Sequence, residues 1–384
     1  MRSFDAIVAG GSISGLLAAR EIAAGGSSVV VLEEDAEIGT PEHCGGLVSI
    51  SGIANLGIMP DSSSIENDRI KHARILSPSS GFDISAEKQK VMVLDRRALD
   101  KQVAFQAQKL GAEIRVKCSM KSFERKGEAY HVKTSDGDLD CKYFVDARGV
   151  ASIIGKNREG VLQSAQYEVY APWIERDTIE VAFDNHLYPG FFAWIIPTRQ
   201  GSGKVGVAGK GINAASALNS YMDSKGAKYS IIRKVYAPIW VDGPIENFAS
   251  DRTVIVGDAA GQSKPTTAGG IYTCGMGGVL AGRAVASAVS DNGTGLAKYE
   301  EGWRTMFGSE FEKMLLARRL LERLDNKAIG ELFAAIPKDK VEEASATGDF
   351  DFHSAALAKI LGAKSAVKMV KALLGNEIRR WIDI

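Results

Sequence analysis

The residues in this chain that could do chemistry stand beside glycines. Cys44 precedes Gly45 and Gly46 in the stretch EIGTPEHCGGL, residues 37–47. Two glycines let backbone approach a flat ring closely, and a thiol beside them would be held at that ring; an inert buried cysteine is the other reading. Asp258 follows Gly257 in VGDAAG, and Gly269 and Gly270 come soon after. An acid at a strand end and a glycine pair at a helix start can together bind a polyol and a developing negative charge; a plain glycine-rich turn is the alternative. Arg96 opens an apolar-periodic helical segment behind Asp95 and could reach a phosphate or form a surface ion pair. Cys118, Cys141 and Cys274 show neither a paired framework nor metal-ligand spacing, and are expected to serve stability alone.

These groups need a scaffold, and FDAIVAGGSISGLLAAREIAAGGSSVVVLE, residues 4–33, supplies its centre. It reads as strand, glycine turn, helix and strand. Gly10, Ser12 and Gly15 have Gly-x-Gly-x-x-Gly spacing, with serine where the second glycine usually sits. Gly10 allows the tight turn, a small residue at 12 lets backbone approach a pyrophosphate, and Gly15 lets the helix pack close to the sheet. The helix N-terminus then faces the phosphates. Glu33 falls where a carboxylate can take a ribose hydroxyl pair, which favours an adenine dinucleotide lacking a 2′-phosphate.

Further along, HARILSPSSGFDISA and KVMVL read as short strands of a second sheet. The strand ending VDARG closes on Ala147-x-Gly149, another turn where backbone can approach a ligand. Residues 167–209 read as an antiparallel sheet whose centre, YPGFFAWIIP, puts Phe192, Trp194 and Ile196 on one face. That face either packs as core or looks into a cavity. A small-residue helix is expected over about 276–289. Beyond Leu296 the chain turns helical. In its last stretch Lys364, Lys368 and Lys371 share a face, either a solvated stripe or a membrane-facing one.

Composition narrows the classes. With 384 residues, 45% apolar and 24% charged, the chain can bury a large core and form two or three units. Forty-seven acidic and 47 basic residues cancel, so no overall field attracts nucleic acid. No apolar run approaches the ~20 residues of a membrane span and no signal peptide is visible, so a cytoplasmic location is expected.

Taken in order, GGSISG with Glu33, the Asp95-Arg96 pair, VDARG and VGDAAG resemble the FAD-binding modules of the hydroxybenzoate-hydroxylase-like flavoproteins. Within that group, CGGL, PGFFAWIIP and the helical tail resemble the geranylgeranyl reductase family, including digeranylgeranylglycerophospholipid reductases, which hydrogenate prenyl chains. The resemblance implies an α/β fold: a Rossmann-like FAD-binding domain from 1–157 and 250–300, with 60–94 partly in the second sheet, an antiparallel substrate sheet over 158–249, and a helical region over 301–384. It also implies that Gly10, Ser12, Gly15, Glu33 and Glu34 hold the AMP half of FAD, Arg96 the pyrophosphate and Met120 the adenine. Gly45, Gly46, Asp258, Gly270 and Ile271 would hold the ribityl and isoalloxazine end. Phe192, Trp194 and Pro197 would meet substrate, and Cys44 would take part in delivering a proton. A prenyl lipid, contact with the membrane surface and an electron donor, NAD(P)H or ferredoxin, complete the implied partners.

Two departures stand out. The family pattern Pro-x-x-Tyr-x-Trp-x-Phe-Pro is represented by Pro189, Phe192, Trp194, Ile196 and Pro197, and the usual Ala-Asp-Gly turn by Ala147-Arg148-Gly149. The Trp-x-Ile-Pro ending also resembles flavin-dependent halogenases, so a monooxygenase or halogenase is the alternative activity.

Overall fold

The computed structural model describes residues 2–154, 157–226, 228–291 and 295–356. Among these, the strands form an eight-stranded, a seven-stranded and a three-stranded sheet. The first is built around β1 (Arg2–Ala9), α1 (Ile13–Ala24) and β2 (Val29–Leu32). Strand Leu139–Asp146 lies parallel to β1 on one side and β2 on the other. The register pairs Ala9 with Asp146 and with Leu32. Three parallel strands therefore end level, and the glycine turn, the VDARG turn and Glu33 emerge side by side. That level edge is where open α/β sheets bind ligands.

The seven-stranded sheet is antiparallel except where Thr178–Ala182 runs parallel to His72–Leu76. HARIL and GFDIS belong to it, as the alternation predicts. Strand Val91–Leu94 does not: it pairs with Leu47–Ser49 and Ile65–Asn67 in the three-stranded sheet. Its four residues are all buried, so it has no solvent face to carry an alternating signal.

The small-residue helix runs over Ile271–Ser290, starting five residues earlier than its composition suggests. Glycines let it lie directly on α1: a Cβ at Gly278 would stand 2.1 Å from the Ser14 carbonyl oxygen. Helix Ala297–Glu322 then covers it with Tyr299, Trp303, Phe307, Phe311 and Met314, spaced three and four apart along one face. Trp303 Nε1 donates to the Thr273 carbonyl at 3.0 Å, so its polar edge is satisfied inside the core. No described helix is long and apolar enough to cross a membrane. Lys364, Lys368 and Lys371 lie outside the described residues.

After helix Lys338–Thr347, the segment 349–354 folds back onto the loop before Ile271. His353 accepts or donates at Thr266 Oγ1, 2.7 Å away, and burial followed by the charge of Lys264 depresses its pKa to about 4. Its ordinary value is 6.5. The unfolded chain therefore binds a proton that the fold refuses, and stability that is whole above about pH 6.5 erodes as pH falls toward about 4. The loss reaches about 3 kcal/mol. Urea unfolding of wild type and His353→Asn across this range checks it: their difference should follow pH, and a constant difference would place the acid sensitivity elsewhere.

Candidate active site

A cavity of about 690 Å³ opens along the level strand ends. At one end Gly10, Ser12, Glu33, Glu34 and Met120 line it; at the other Cys44, Arg96, Asp258, Gly270 and Ile271 do. Residues far apart in the sequence thus line one cavity. Gly15, Gly45 and Gly46 stand behind that lining. A Cβ at Gly15 would meet the Gly10 carbonyl oxygen at 2.1 Å, one at Gly45 the Ile196 side chain at 2.5 Å, and one at Gly46 the Leu94 carbonyl oxygen at 2.2 Å. Their part is to let chains pass closely, which aims the residues beside them.

The nucleotide-like end is built by backbone. Gly10 adopts φ 112°, and an added Cβ there would lie 2.2 Å from the Ala147 carbonyl oxygen, so the two turns are in direct contact. Glu33 braces the loop, accepting from the Gly11 N–H at 2.7 Å and the Asp35 N–H at 3.0 Å. Ser12 precedes α1 without spending its hydroxyl on the helix N–H groups. A second helix, Ile271–Ser290, also starts at the cavity, with Gly270 at its cap and no side-chain cap. Two helix N-termini therefore direct partial positive charge into one space.

At the far end, Arg96 does not lie on the surface. Its side chain is only 11% exposed and is bound to Asp100, with Nη2 at 2.8 and 3.0 Å from the carboxylate oxygens and Nε at 3.2 Å. Burial works against its charge, but Asp100 and then the adjoining Cys44 side chain more than offset this and hold the guanidinium protonated above its usual range. Arg96 and Cys44 both line the cavity. Asp258 accepts from Ser263 and, at 3.5 Å, from the Cys274 thiol. Burial, and then Asp258, push that thiol well above its ordinary pKa, so it is a donor and not a nucleophile.

Cys118 and Cys274 both line the cavity. Cys274 is four residues beyond Gly270, one turn along the same helix face, and that spacing was the available signal. Cys141 is not part of the lining: it is buried in strand Leu139–Asp146, its pKa pushed up to about 12 by burial.

The Cys44 loop is anchored by groups the sequence hid. Lys204, fully buried in the apolar strand Ser202–Gly209, places Nζ 2.7 Å from both Glu42 Oε1 and Glu66 Oε2. Arg233 takes the other Glu42 oxygen at 2.7 Å. Every charge in this buried set meets an opposite one, so Glu42 is fixed two residues before Cys44. A lysine inside an otherwise apolar run is the sequence sign of such a partner. Gln166 adds a second anchor: its Nε2 donates to the Cys44 carbonyl at 3.2 Å while its Oε1 accepts from Trp194 Nε1 at 3.1 Å. Trp194 therefore touches the Cys44 loop through one side chain. Phe192 stacks on Phe191 at 4.1 Å and the Pro197 carbonyl accepts from Asn67 at 2.9 Å; all three lie one layer behind the cavity lining. The wall in front of them comes from Tyr236 to Ile239 and Ala268, which the sequence pattern did not single out.

No family model matches the chain. Over 356 residues it is 30% identical to digeranylgeranylglycerophospholipid reductase 2 of Methanothermobacter thermautotrophicus, covering 87% of this chain and 91% of that protein. Its fold is similar to a geranylgeranyl bacteriochlorophyll reductase-like protein from Thermoplasma acidophilum, with a TM-score of 0.84, 23% identity and coverage of 97% and 99%. The flavin-dependent brominase Bmp2 shares the architecture less closely, with a TM-score of 0.68 at 16% identity, covering 98% of this chain and all of that one. With 30% identity over 87% of its length to a named reductase, this chain belongs to the digeranylgeranylglycerophospholipid reductase family.

Proposed function

We propose that this protein is an FAD-dependent reductase that hydrogenates C=C bonds in the geranylgeranyl chains of archaeal-type glycerophospholipids. The observation that carries the reading is full-length similarity to the Methanothermobacter reductase, joined to a cavity that runs from a glycine turn to a cysteine. The residues present suit FAD. The turn at Gly10 has no room for a Cβ, Glu33 offers a carboxylate at a ribose position, two helix N-termini and Arg96 suit a pyrophosphate, and Asp258 suits a polyol. In that assignment Ser12, Gly15 and Glu34 hold the AMP half with Glu33, Met120 the adenine, and Gly45, Gly46, Gly270 and Ile271 frame the ring. In the same reading residues 1–157 and 250–300 would form the cofactor unit, with 60–94 partly in the second sheet, 158–249 the substrate sheet, and the helical region would begin at 301, its part beyond 356 lying outside the described residues.

Reduced FAD supplies a hydride. An isolated prenyl double bond has no carbonyl to hold negative charge, so a proton must reach its less substituted carbon as the hydride reaches the more substituted one. Cys44 Sγ–H would give that proton, and the Arg96 guanidinium, which lines the same cavity, would offset the charge left behind. Glu42 and Gln166 keep the loop from moving as this happens. Atoms and charge balance, since one hydride and one proton turn C=C into CH–CH.

A geranylgeranyl chain buries many methylenes at roughly 0.8 kcal/mol each, so it stays in the bilayer and the enzyme would work at the membrane surface, with Lys364, Lys368 and Lys371, which lie outside the described residues, as one candidate for attachment. NAD(P)H or ferredoxin supplies the electrons. The test is anaerobic mixing of dithionite-reduced enzyme with a geranylgeranyl lipid, followed by flavin absorbance and lipid mass. Reoxidation with a gain of two hydrogens per bond supports the reading; reoxidation that needs oxygen would move the protein to the monooxygenase or halogenase class.

A further inference from the structure

The row of level strand ends extends past the glycine turn on both sides. Its register sets Leu32, Ala9, Asp146 and Ile255 side by side, on β2, β1, strand Leu139–Asp146 and strand Thr253–Ile255. Just past that row stand Glu33, Gly10, Arg148 and Asp258, in the same order, and all four line the cavity. A flavin dinucleotide has its parts in a fixed covalent order: adenosine ribose, pyrophosphate, ribityl. With Glu33 suited to the ribose and Asp258 to the ribityl hydroxyls, the pyrophosphate falls to the two strands between them. One of these leads into the glycine turn. The other leads to Arg148, which the assignment above leaves without a part.

Arg148 is a cation held in place. Its Nε donates to Asp146 Oδ1 at 2.9 Å and its Nη2 to Oδ2 at 2.7 Å, while the Ser152 hydroxyl stands 2.9 and 3.0 Å from the same two oxygens. The Arg148 N–H closes the turn on Oδ1 at 3.2 Å. The Asp146 side chain is 9% exposed, so its charge needs this partner, and the two-point pairing fixes the guanidinium plane. Asp146 is not part of the cavity lining, whereas Arg148 is. The cavity therefore meets the cation and not the acid that holds it. Nε and Nη2 are spent on Asp146; among the described residues nothing accepts from Nη1, which keeps two N–H donors. The turn also abuts the glycine turn: a Cβ at Gly10 would stand 3.2 Å from the Arg148 backbone nitrogen.

We propose that Arg148 Nη1 binds the pyrophosphate of FAD, so that this residue makes the site prefer the dinucleotide over a flavin without phosphate. This rests on the flavin reading of the cavity. A guanidinium already locked by Asp146 loses little freedom on binding, and its remaining N–H pair suits phosphate oxygens. A cation at this position reverses the charge of the usual Ala-Asp-Gly turn, so the contact belongs to this chain's own sequence. A lipid headgroup offers the same phosphate chemistry, but the strand order puts Arg148 between the ribose and ribityl ends of the cavity.

The test titrates FAD and riboflavin into the full-length protein stripped of flavin and reads fluorescence quenching. Arg148→Gln can still donate to Asp146 but is neutral, and Arg148→Lys keeps the charge. In Arg148→Gln the ratio of FAD to riboflavin affinity should fall about tenfold or more with riboflavin near its wild-type value, and Arg148→Lys should recover part of it. Added salt should lower the same ratio in wild type and much less in Arg148→Gln, because the Arg148 side chain is 37% exposed where that of Arg96 is 11%. An unchanged ratio, or equal weakening of both flavins, overturns the proposal. If circular dichroism shows that Arg148→Gln does not fold, the wild-type ratio decides: a fall with salt supports the proposal and indifference to salt overturns it. A variant that keeps the flavin ratio but loses affinity for a phosphorylated over a dephosphorylated geranylgeranyl glycerol lipid gives the cation to the substrate headgroup and overturns it too. Wild type that binds neither flavin refutes the flavin reading, and the proposal with it.

Discussion

Gly10→Val should leave a folded protein that retains no flavin. The new Cβ would fall 2.2 Å from the Ala147 carbonyl oxygen and 2.6 Å from its carbonyl carbon, both backbone atoms of a strand end with no freedom to withdraw. The φ of 112° is itself closed to a β-branched residue. Relief requires the glycine turn to leave the VDARG turn, which carries the start of α1 away from the phosphate position. Strain of about 1–3 kcal/mol together with the lost N–H contacts predicts FAD affinity reduced by more than about 100-fold. The checks are the ratio of flavin to protein absorbance after purification and the quenching of FAD fluorescence on reconstitution, with circular dichroism to confirm the fold. Stoichiometric flavin in this variant would mean that the cofactor seat lies elsewhere.

Cys44→Ser should do the opposite, keeping flavin and losing chemistry. FAD contacts are spread over many residues, whereas proton delivery by a positioned group typically contributes about 10²–10⁴-fold. Serine is close in size but is a far weaker acid. Anaerobic single-turnover reoxidation by a geranylgeranyl lipid, paired with product mass, measures the loss. The proper comparison is Cys141→Ser, buried in a strand away from the cavity, because Cys118 and Cys274 line the same space as Cys44. An unchanged rate would reduce Cys44 to packing, and a lost flavin would make its loop a clamp on the cofactor.

Local sequence determined a good deal about this protein. The strand, turn and helix at residues 4–33 could be read because each requirement is local: a glycine where φ is positive, apolar runs at strand and helix periods, and an acid where the second strand stops. The early start of helix Ile271–Ser290 was hidden because glycines and a threonine in its first turns have poor helix propensity, and packing on α1 overrides them. Only the tertiary structure decided what the isolated residues do. Level parallel strands bring Gly10, Ala147 and Glu33 together, and a buried lysine from a distant strand holds Glu42 and thereby Cys44. Arg96 illustrates the limit best: its position at a helix start is legible from the chain, but its pairing with Asp100 at a cavity shared with Cys44 depends on how that helix lies against a loop some fifty residues earlier. Periodicity records which way a side chain faces. What it faces is set by the packing of elements far apart in sequence, and that information is carried by no single stretch.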